Sequence, residues 1–420
     1  MRERRSDHRQ RLGSHTGNVA RPGWPLACPG APRRRAGIVG RKAAADMAHA
    51  RQCRAGGEAM TGRPDQSRPR PRQLPMFATC APGIGRLLRR QLAAVDGIDV
   101  TGSGFDGQTD IVFFDTDRPG RAHALRSRLA EGVFAEIGRA SRGRGVSRAT
   151  AGAVASKAWR LDTVERALSV FAEEVRQLSG PMTYRVTARV RTQVPLRRPD
   201  LRRAMAAVIG ADKPRWKFAD PAQLEFRLSE WHDGQYVAGL QISRVSPPRT
   251  ERPAGQSGLL PATVAAAMVQ LAGDEAAAPI GARGRVLLDP CCGAGAILAE
   301  AAAAGWEAQG SDIDPIAVEM ASQIATGLSV QLGDARELLM ADDYVDACVS
   351  WLPGRGPDSW PLFAGEVLSE MSRVTHSGGH AVLLAPELPR AVTPGALRLR
   401  KQIPVQLPGA ILSIWVFHRA

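Results

Sequence analysis

The stretch Val286-Leu-Leu-Asp-Pro-Cys-Cys-Gly-Ala-Gly295 constrains the fold more than any other part of the chain. An apolar strand ends at Asp289, a turn of small residues follows, and Ile297, Leu298 and the alanines 299–304 continue at helical spacing. Strand, glycine turn and helix make the first β-α unit of a Rossmann-like sheet. Glycines there let a ligand approach the backbone, and the helix start presents free N–H groups. A Gly-Ala-Gly in an alanine-rich chain is weak evidence alone, so the segments around it decide its meaning.

Asp312 lies nineteen residues beyond Gly293, close to the spacing at which an acid ending the second strand meets ribose hydroxyls. Ile313 is placed to pack beside an adenine ring, and Asp334, followed by Ala335, ends a third strand with an acceptor for an adenine amine. Segments 345–350 and 379–385 read as fourth and fifth strands, and 403–407 with 411–418 as a terminal pair. Three acids at three successive strand ends above one glycine turn fit S-adenosylmethionine (SAM) better than a dinucleotide. The third glycine of a pyrophosphate cradle is missing, and no Walker lysine occurs. Asp289 could meet the cofactor's cationic methionine end. The expected cofactor contacts are thus Asp289, Pro290, Cys291, Gly293, Ala294, Gly295, Asp312, Ile313, Asp334 and Ala335.

The formal charge of +15 is unevenly distributed. Residues 1–75 hold sixteen Arg and one Lys against five acids, so the rest of the chain carries little net charge. This opening stretch is rich in Arg, Pro and Gly and poor in large apolar residues, and it is expected to be disordered. It has no apolar core of a secretory signal, and Pro and Gly are too frequent for a good amphipathic targeting helix. An upstream extension with Met76 as the true start is the simplest reading, and a basic RNA-contacting arm the sharper one. No run approaches the roughly 18 apolar residues of a membrane span. The six cysteines show neither paired nor zinc-like spacing, which points to a reduced, cytoplasmic compartment and no structural metal.

Residues 76–80 read as a buried strand, and Ile84, Leu87, Leu88, Leu92 and Val95 recur at helical spacing. Segments 98–101 and 111–114 read as strands joined by a turn at Asp106-Gly107, followed by a helix over about 123–138. This β-α-β-β-α order suggests a small ferredoxin-like domain over 76–140, and residues 141–152 read as a linker.

A second α+β unit is expected over 155–248. Residues 164–178 carry a helical pattern, and 184–191 alternate strictly, with Tyr184, Val186, Ala188 and Val190 on one face. Asp200 is expected to cap a helix that Gly210 stops. Segments 224–231 and 235–245 flank the hairpin signal Asp233-Gly234. Arg185, Arg189, Arg191, Arg197, Arg198, Arg202 and Arg203 fall within nineteen positions that contain one acid, Asp200. Most charge runs form solvated faces, but an arginine surface short of counter-charges suits RNA phosphates. A polar linker over 246–260 precedes a helix starting at Pro261 and the C-terminal domain, 261–420.

The segments Met76-Phe-Ala-Thr-Cys-Ala-Pro-Gly, Pro261-Ala-Thr-Val-Ala-Ala-Ala-Met, Asp289-Pro-Cys-Cys-Gly-Ala-Gly and Gly310-Ser-Asp-Ile-Asp resemble those of the THUMP-containing RNA guanosine-N2 methyltransferases. The resemblance covers residues 76–420. It implies an α/β fold: a class I Rossmann-like methyltransferase with a seven-stranded mixed sheet, preceded by ferredoxin-like and THUMP α+β domains. It also implies SAM as cofactor and methyl transfer to guanosine N2 in RNA, tRNA more readily than ribosomal RNA.

Members of that family carry an Asn or Asp, then an apolar-Pro-aromatic-Gly turn, after the fourth strand. This chain reads Ser350-Trp351-Leu352-Pro353-Gly354 there, with Trp351 in place of the acceptor and no aromatic before Gly354. The expected catalytic segment is therefore Ser350, Trp351, Leu352 and Pro353. Ser350 or a carbonyl near Pro353 would accept from the amine, and Trp351 or Trp360 would stack on the base. Two alternatives stay open: a SAM- and RNA-binding protein of weak catalysis, and a methyltransferase for another amine, such as ribosomal guanine, adenine N6 or a protein glutamine.

Overall fold

The computed structural model describes residues 73–143, 147–191, 196–243, 260–273, 284–324, 328–352, 359–388, 395–407 and 410–420. Of the stretch expected to be disordered, residues 1–72 lie outside these, as do most of the expected linker 246–260 and both Pro353 and Gly354. The described chain opens with β1 (Leu74–Cys80), α1 (Gly85–Ala93), β2 (Ile98–Phe105), β3 (Asp110–Thr116), α2 (Arg118–Arg126) and β4 (Gly132–Ser141). The first strand thus begins two residues ahead of Met76. The helix expected over 123–138 is instead a shorter, earlier α2 and then β4. Asp117 sets its start, accepting from Gly120 N at 2.8 Å. Val133-Phe134-Ala135, buried without a break after Gly132, then forms a strand covered on both faces.

Next come α3 (Arg148–Ala158), α4 (Leu161–Glu174), β5 (Thr183–Arg189), α5 (Arg198–Asp212), β6 (Lys217–Phe218), β7 (Leu224–His232) and β8 (Gln235–Gln241). Part of the expected linker is therefore helix α3. Its alanines favour a helix, and Ser147 and Thr150 form a reciprocal capping box worth about 1 kcal/mol. Two expected boundaries of α5 also move. Arg197 occupies the cap position, because Pro199 in the first turn fixes the start, and Asp200 falls within that first turn. Gly210 lies inside the helix, which ends at Lys213 ahead of Pro214. The Asp233-Gly234 hairpin forms with Gly234 at φ 64°.

These strands form one sheet in the order β2-β3-β1-β4-β8-β7-β5-β6. The two α+β units expected from the sequence are joined by β4 and β8, which run antiparallel from Phe134 opposite Gln241 to Ser141 opposite Gln235. The sheet coils strongly. Trp231 of β7 packs edge-on against Phe113 of β3 at 5.1 Å, although three strands separate them, and Ser229 Oγ donates to Asp106 Oδ2 at 3.2 Å. Phe77 stacks on Phe134 at 4.8 Å inside this curve. The guanidinium carbons of Arg139 and Arg227 sit 4.5 Å and 4.7 Å from the Phe113 and Phe134 rings.

The remainder is α6 (Ala262–Ala272), β9 (Val286–Asp289), α7 (Ala296–Ala303), β10 (Glu307–Asp312), α8 (Pro315–Ile324), β11 (Ser329–Leu332), β12 (Val345–Trp351), α9 (Trp360–Val374), β13 (Thr375–Ala385), β14 (Leu397–Leu407) and β15 (Ala410–Arg419). The second sheet has the order β11-β10-β9-β12-β13-β15-β14. Its first five strands are parallel, and β15 inserts antiparallel between β13 and β14. This order reverses at β9 and β12, the point at which open α/β sheets bind ligands beyond their strand ends.

The two sheets are held together directly. Gln406 N donates to Pro82 O at 3.2 Å. Gly83 sits so close to β14 that a Cβ on it would fall 1.9 Å from Pro404 O, and its φ of 98° also demands glycine. Arg128 reaches Glu300 on α7, and one hydrophobic core runs from β1 to β15.

Candidate active site

The reversal point of the second sheet is where β9 ends at Asp289. Asp289 is 1% exposed, and its Oδ1 accepts from Ser350 Oγ at 2.7 Å and from Cys291 N at 3.2 Å. Burial away from water pushes its carboxyl up to about 7; the Ser350 and Cys291 hydrogen bonds lower it and nearby Asp312 raises it. Burial likewise raises the Cys291 and Cys292 thiols, so neither is a thiolate near neutral pH.

The turn itself is shaped by left-handed glycines, Gly293 at φ 51° and Gly295 at φ 82°. A Cβ on Gly293 would meet nothing within 4 Å, so the backbone there faces open space. Gly295 caps α7 without any side-chain hydrogen bond, leaving the first helical N–H groups beside the turn. Pro290 is buried, its carbonyl accepting from Ser311 Oγ at 3.4 Å, and Ala294 is half-buried.

Asp312 does more than end β10. Its Oδ2 accepts from Gly293 N at 2.8 Å and its Oδ1 from Asp314 N at 3.0 Å, so the acid pins the glycine turn. Each oxygen keeps a second lone pair for a hydroxyl donor. Beside it Ile313 is 62% exposed, an apolar side chain held at the crevice instead of in the core. Asp334 is gripped by Arg336 through Nε at 3.0 Å and Nη2 at 2.6 Å. The Ala335 side chain is buried in the core, which leaves its backbone as the part that can meet a ligand.

The expected catalytic segment divides. Ser350 donates its hydroxyl to Asp289 and is fully buried, and that burial keeps it from facing a substrate. Leu352 is fully buried among core residues, because its position continues the in-facing register of β12. Trp351 is half-buried between them. Trp360 is also core, with Nε1 donating to Glu387 O at 3.1 Å, and it offers no open stacking face. Pro353 lies outside the described residues.

The arginines divide as well. Arg185 binds Glu225 of the neighbouring strand through Nε at 3.0 Å and Asp220 at 3.3 Å; its counter-charges arrive across the sheet, beyond the sequence window. Arg189 is half-buried and bonds Gln108, and Arg203 pairs with Asp200 at 2.7 Å. Arg191, Arg197, Arg198 and Arg202 are exposed, and among the described residues no carboxylate pairs with their guanidinium groups, although Arg191 N donates to Glu230 Oε2 at 3.2 Å. The sequence reading passed over Arg215, Lys217 and Phe218, exposed at the edge strand β6, with Phe218 54% exposed. The alternation Arg215-Trp216-Lys217-Phe218 is the signal that could have found them.

Residues 287–379 match the family model described as a methyltransferase domain. Over 83% of this chain and 100% of the other, the structure is similar to TrmN from Thermus thermophilus, with TM-score 0.60 and 21% identity. It is also similar to a possible methylase from Clostridium difficile 630, with TM-score 0.58 and 13% identity over 83% of this chain and 98% of that one. No curated protein sequence matches. Fold and site together define a SAM-dependent methyltransferase of class I architecture. The open backbone at Gly293, the Asp312 carboxylate and the exposed Ile313 fit SAM as its cofactor. Among the described residues no helix is long and apolar enough to cross a membrane.

Proposed function

We propose that the chain transfers the SAM methyl group to the exocyclic N2 of a guanosine in structured RNA, tRNA in preference to ribosomal RNA. The observation that carries this reading is the group of exposed arginines, Arg191, Arg197, Arg198 and Arg202, in the same compact unit as the methyl-donor turn. Guanidinium groups without acidic partners suit phosphate contacts.

In this reading Asp312 binds the ribose hydroxyls, Ile313 lies against the adenine, and the backbone of 293–295 lets the methionine part approach. Asp334 accepts from the adenine amine, sharing its carboxylate with Arg336. Asp289 supplies negative charge near the cationic methionine end. The bound sulfonium carries an already activated methyl group, so the residues need only position the nucleophile in line. Guanine N2 is a poor nucleophile until acceptors on its N–H groups localise the lone pair. Trp351 packs against the base in this reading.

Mass spectrometry of nucleosides from a deletion strain tests the reading: N2-methylguanosine should disappear from tRNA. An unchanged tRNA and ribosomal RNA profile overturns it. The second reading, a SAM- and RNA-binding protein of weak catalysis, is favoured by Trp351 standing where an acceptor is expected and by the engagement of Ser350 with Asp289. Unchanged nucleosides together with retained SAM and RNA binding would select it.

A further inference from the structure

We propose that the Asp289–Ser350 hydrogen bond is the link by which SAM occupancy positions Trp351, the residue that meets the substrate base, which makes Ser350 a positioning residue. This rests on the SAM site and the methyl-transfer reading given above.

The two residues end neighbouring parallel strands, β9 and β12, sixty-one positions apart in the chain. Asp289 opens the cofactor turn; Ser350 immediately precedes Trp351. Ser350 is fully buried and Asp289 is 1% exposed, so water does not compete for the 2.7 Å bond. The same carboxylate oxygen accepts from Cys291 N within the glycine turn. One atom therefore holds both the cofactor turn and the end of β12. Downstream the chain is tied at a second point, where Leu352 N donates to Leu384 O at 3.0 Å.

Among the described residues the groups bearing on Asp289 are Ser350, Cys291 and Asp312, and they include no basic side chain. Burial first, and then the nearby Asp289, raises the thiols of Cys291, Cys292 and Cys348. A carboxylate in such surroundings lacks a cation until a cationic ligand arrives. SAM brings one in its ammonium and sulfonium groups. On binding, Asp289 becomes a full carboxylate and its proton leaves to solvent. A hydrogen bond to an ionised acceptor is stronger than one to a neutral acid, so the Ser350 hydroxyl is held more firmly. The end of β12 at Trp351 is thereby held more firmly when the donor is present.

The test uses the full chain and SAM as probe. Calorimetry in phosphate and Tris near pH 6.5 reads proton release on binding. Wild type should release a substantial fraction of one proton, and Asp289→Asn none. Hydrogen exchange then follows the amides of 350–352. SAM should slow exchange there at least about threefold in wild type; Ser350→Ala should lose that protection while keeping SAM affinity within about threefold, and Ser350→Thr should restore it. Equal SAM-induced protection in wild type and Ser350→Ala, or none in wild type although SAM binds, overturns the link alone. Absence of proton release from wild type on SAM binding also overturns it. Failure of the wild-type chain to bind SAM overturns the cofactor reading as well. Thermal melts of Ser350→Thr and Ser350→Ala identify a variant that merely misfolds, and the threonine variant then carries the comparison.

Discussion

Arg128 Nε lies 2.5 Å from Glu300 Oε2, a contact that joins the loop after α2 to helix α7 across 172 positions of sequence. The carboxylate end is 2% exposed and the arginine about one-third exposed. Removing the arginine takes compensation away from a buried charge. Arg128→Ala should therefore cost about 2 kcal/mol, discounted from the cost of breaking a fully buried pair because the arginine is partly solvated. Urea denaturation measures the loss, and Glu300→Gln should lose less. Equal stability of Arg128→Ala and wild type would show that the contact carries no weight.

Asp312 is expected to be the most sensitive cofactor position, because it both faces the crevice and holds Gly293 N. Asp312→Ala should weaken SAM binding by at least about tenfold, a loss of roughly 1.4 kcal/mol or more. Calorimetry checks it; unaltered affinity would remove the ribose assignment.

Asp289 should give the protein a pH signature. An unfolded aspartate titrates near roughly 3.9, whereas the folded residue is raised to about 7. The native state thus holds this proton more tightly than the unfolded chain. The stability it lends is full below about pH 4 and lost as pH rises through 7. Asp289→Asn should remove that slope and gain stability over wild type at pH 8, by at most about 4 kcal/mol. Urea melts at pH 5 and pH 8 compare the two; a gain no larger at pH 8 than at pH 5 contradicts the assignment.

The exposed and the paired arginines should behave differently. Substituting Arg197, Arg198 and Arg202 together with Ala should weaken tRNA binding by at least about tenfold. It should also shallow the salt dependence by up to about 2–3 counterions. Arg185→Ala, which loses Glu225 and Asp220, should chiefly affect stability. Fluorescence anisotropy across a potassium chloride series separates these outcomes, and identical salt slopes would exclude the exposed arginines from the RNA surface.

What the sequence discloses depends on whether a feature is local. Asp233-Gly234, Asp289 to Gly295 and the spacing of Asp312 are written in short stretches, and each lies where its pattern indicates. Strand β4 was hidden because Val133-Phe134-Ala135 is apolar and buried on both faces, which erases the alternation that marks a strand. The partners of Arg185 come from a neighbouring strand, and that of Ser350 from one sixty-one positions away, so no window of sequence contains them. Leu352 could not be separated from a substrate-facing residue by spacing alone, since the register of β12 decides which way it points.

Because β4 and β8 merge the two N-terminal units into a single sheet, and Gly83 and Arg128 fasten that sheet to the second one, the described chain has few joints at which its halves can bend. The distance from helix α5 to the glycine turn is then a fixed dimension of the molecule. On the proposed reading, an RNA held at α5 would present to the turn only what lies that far along its own surface. Substrate choice would then be a measurement of length, made by the sheet before any base is read.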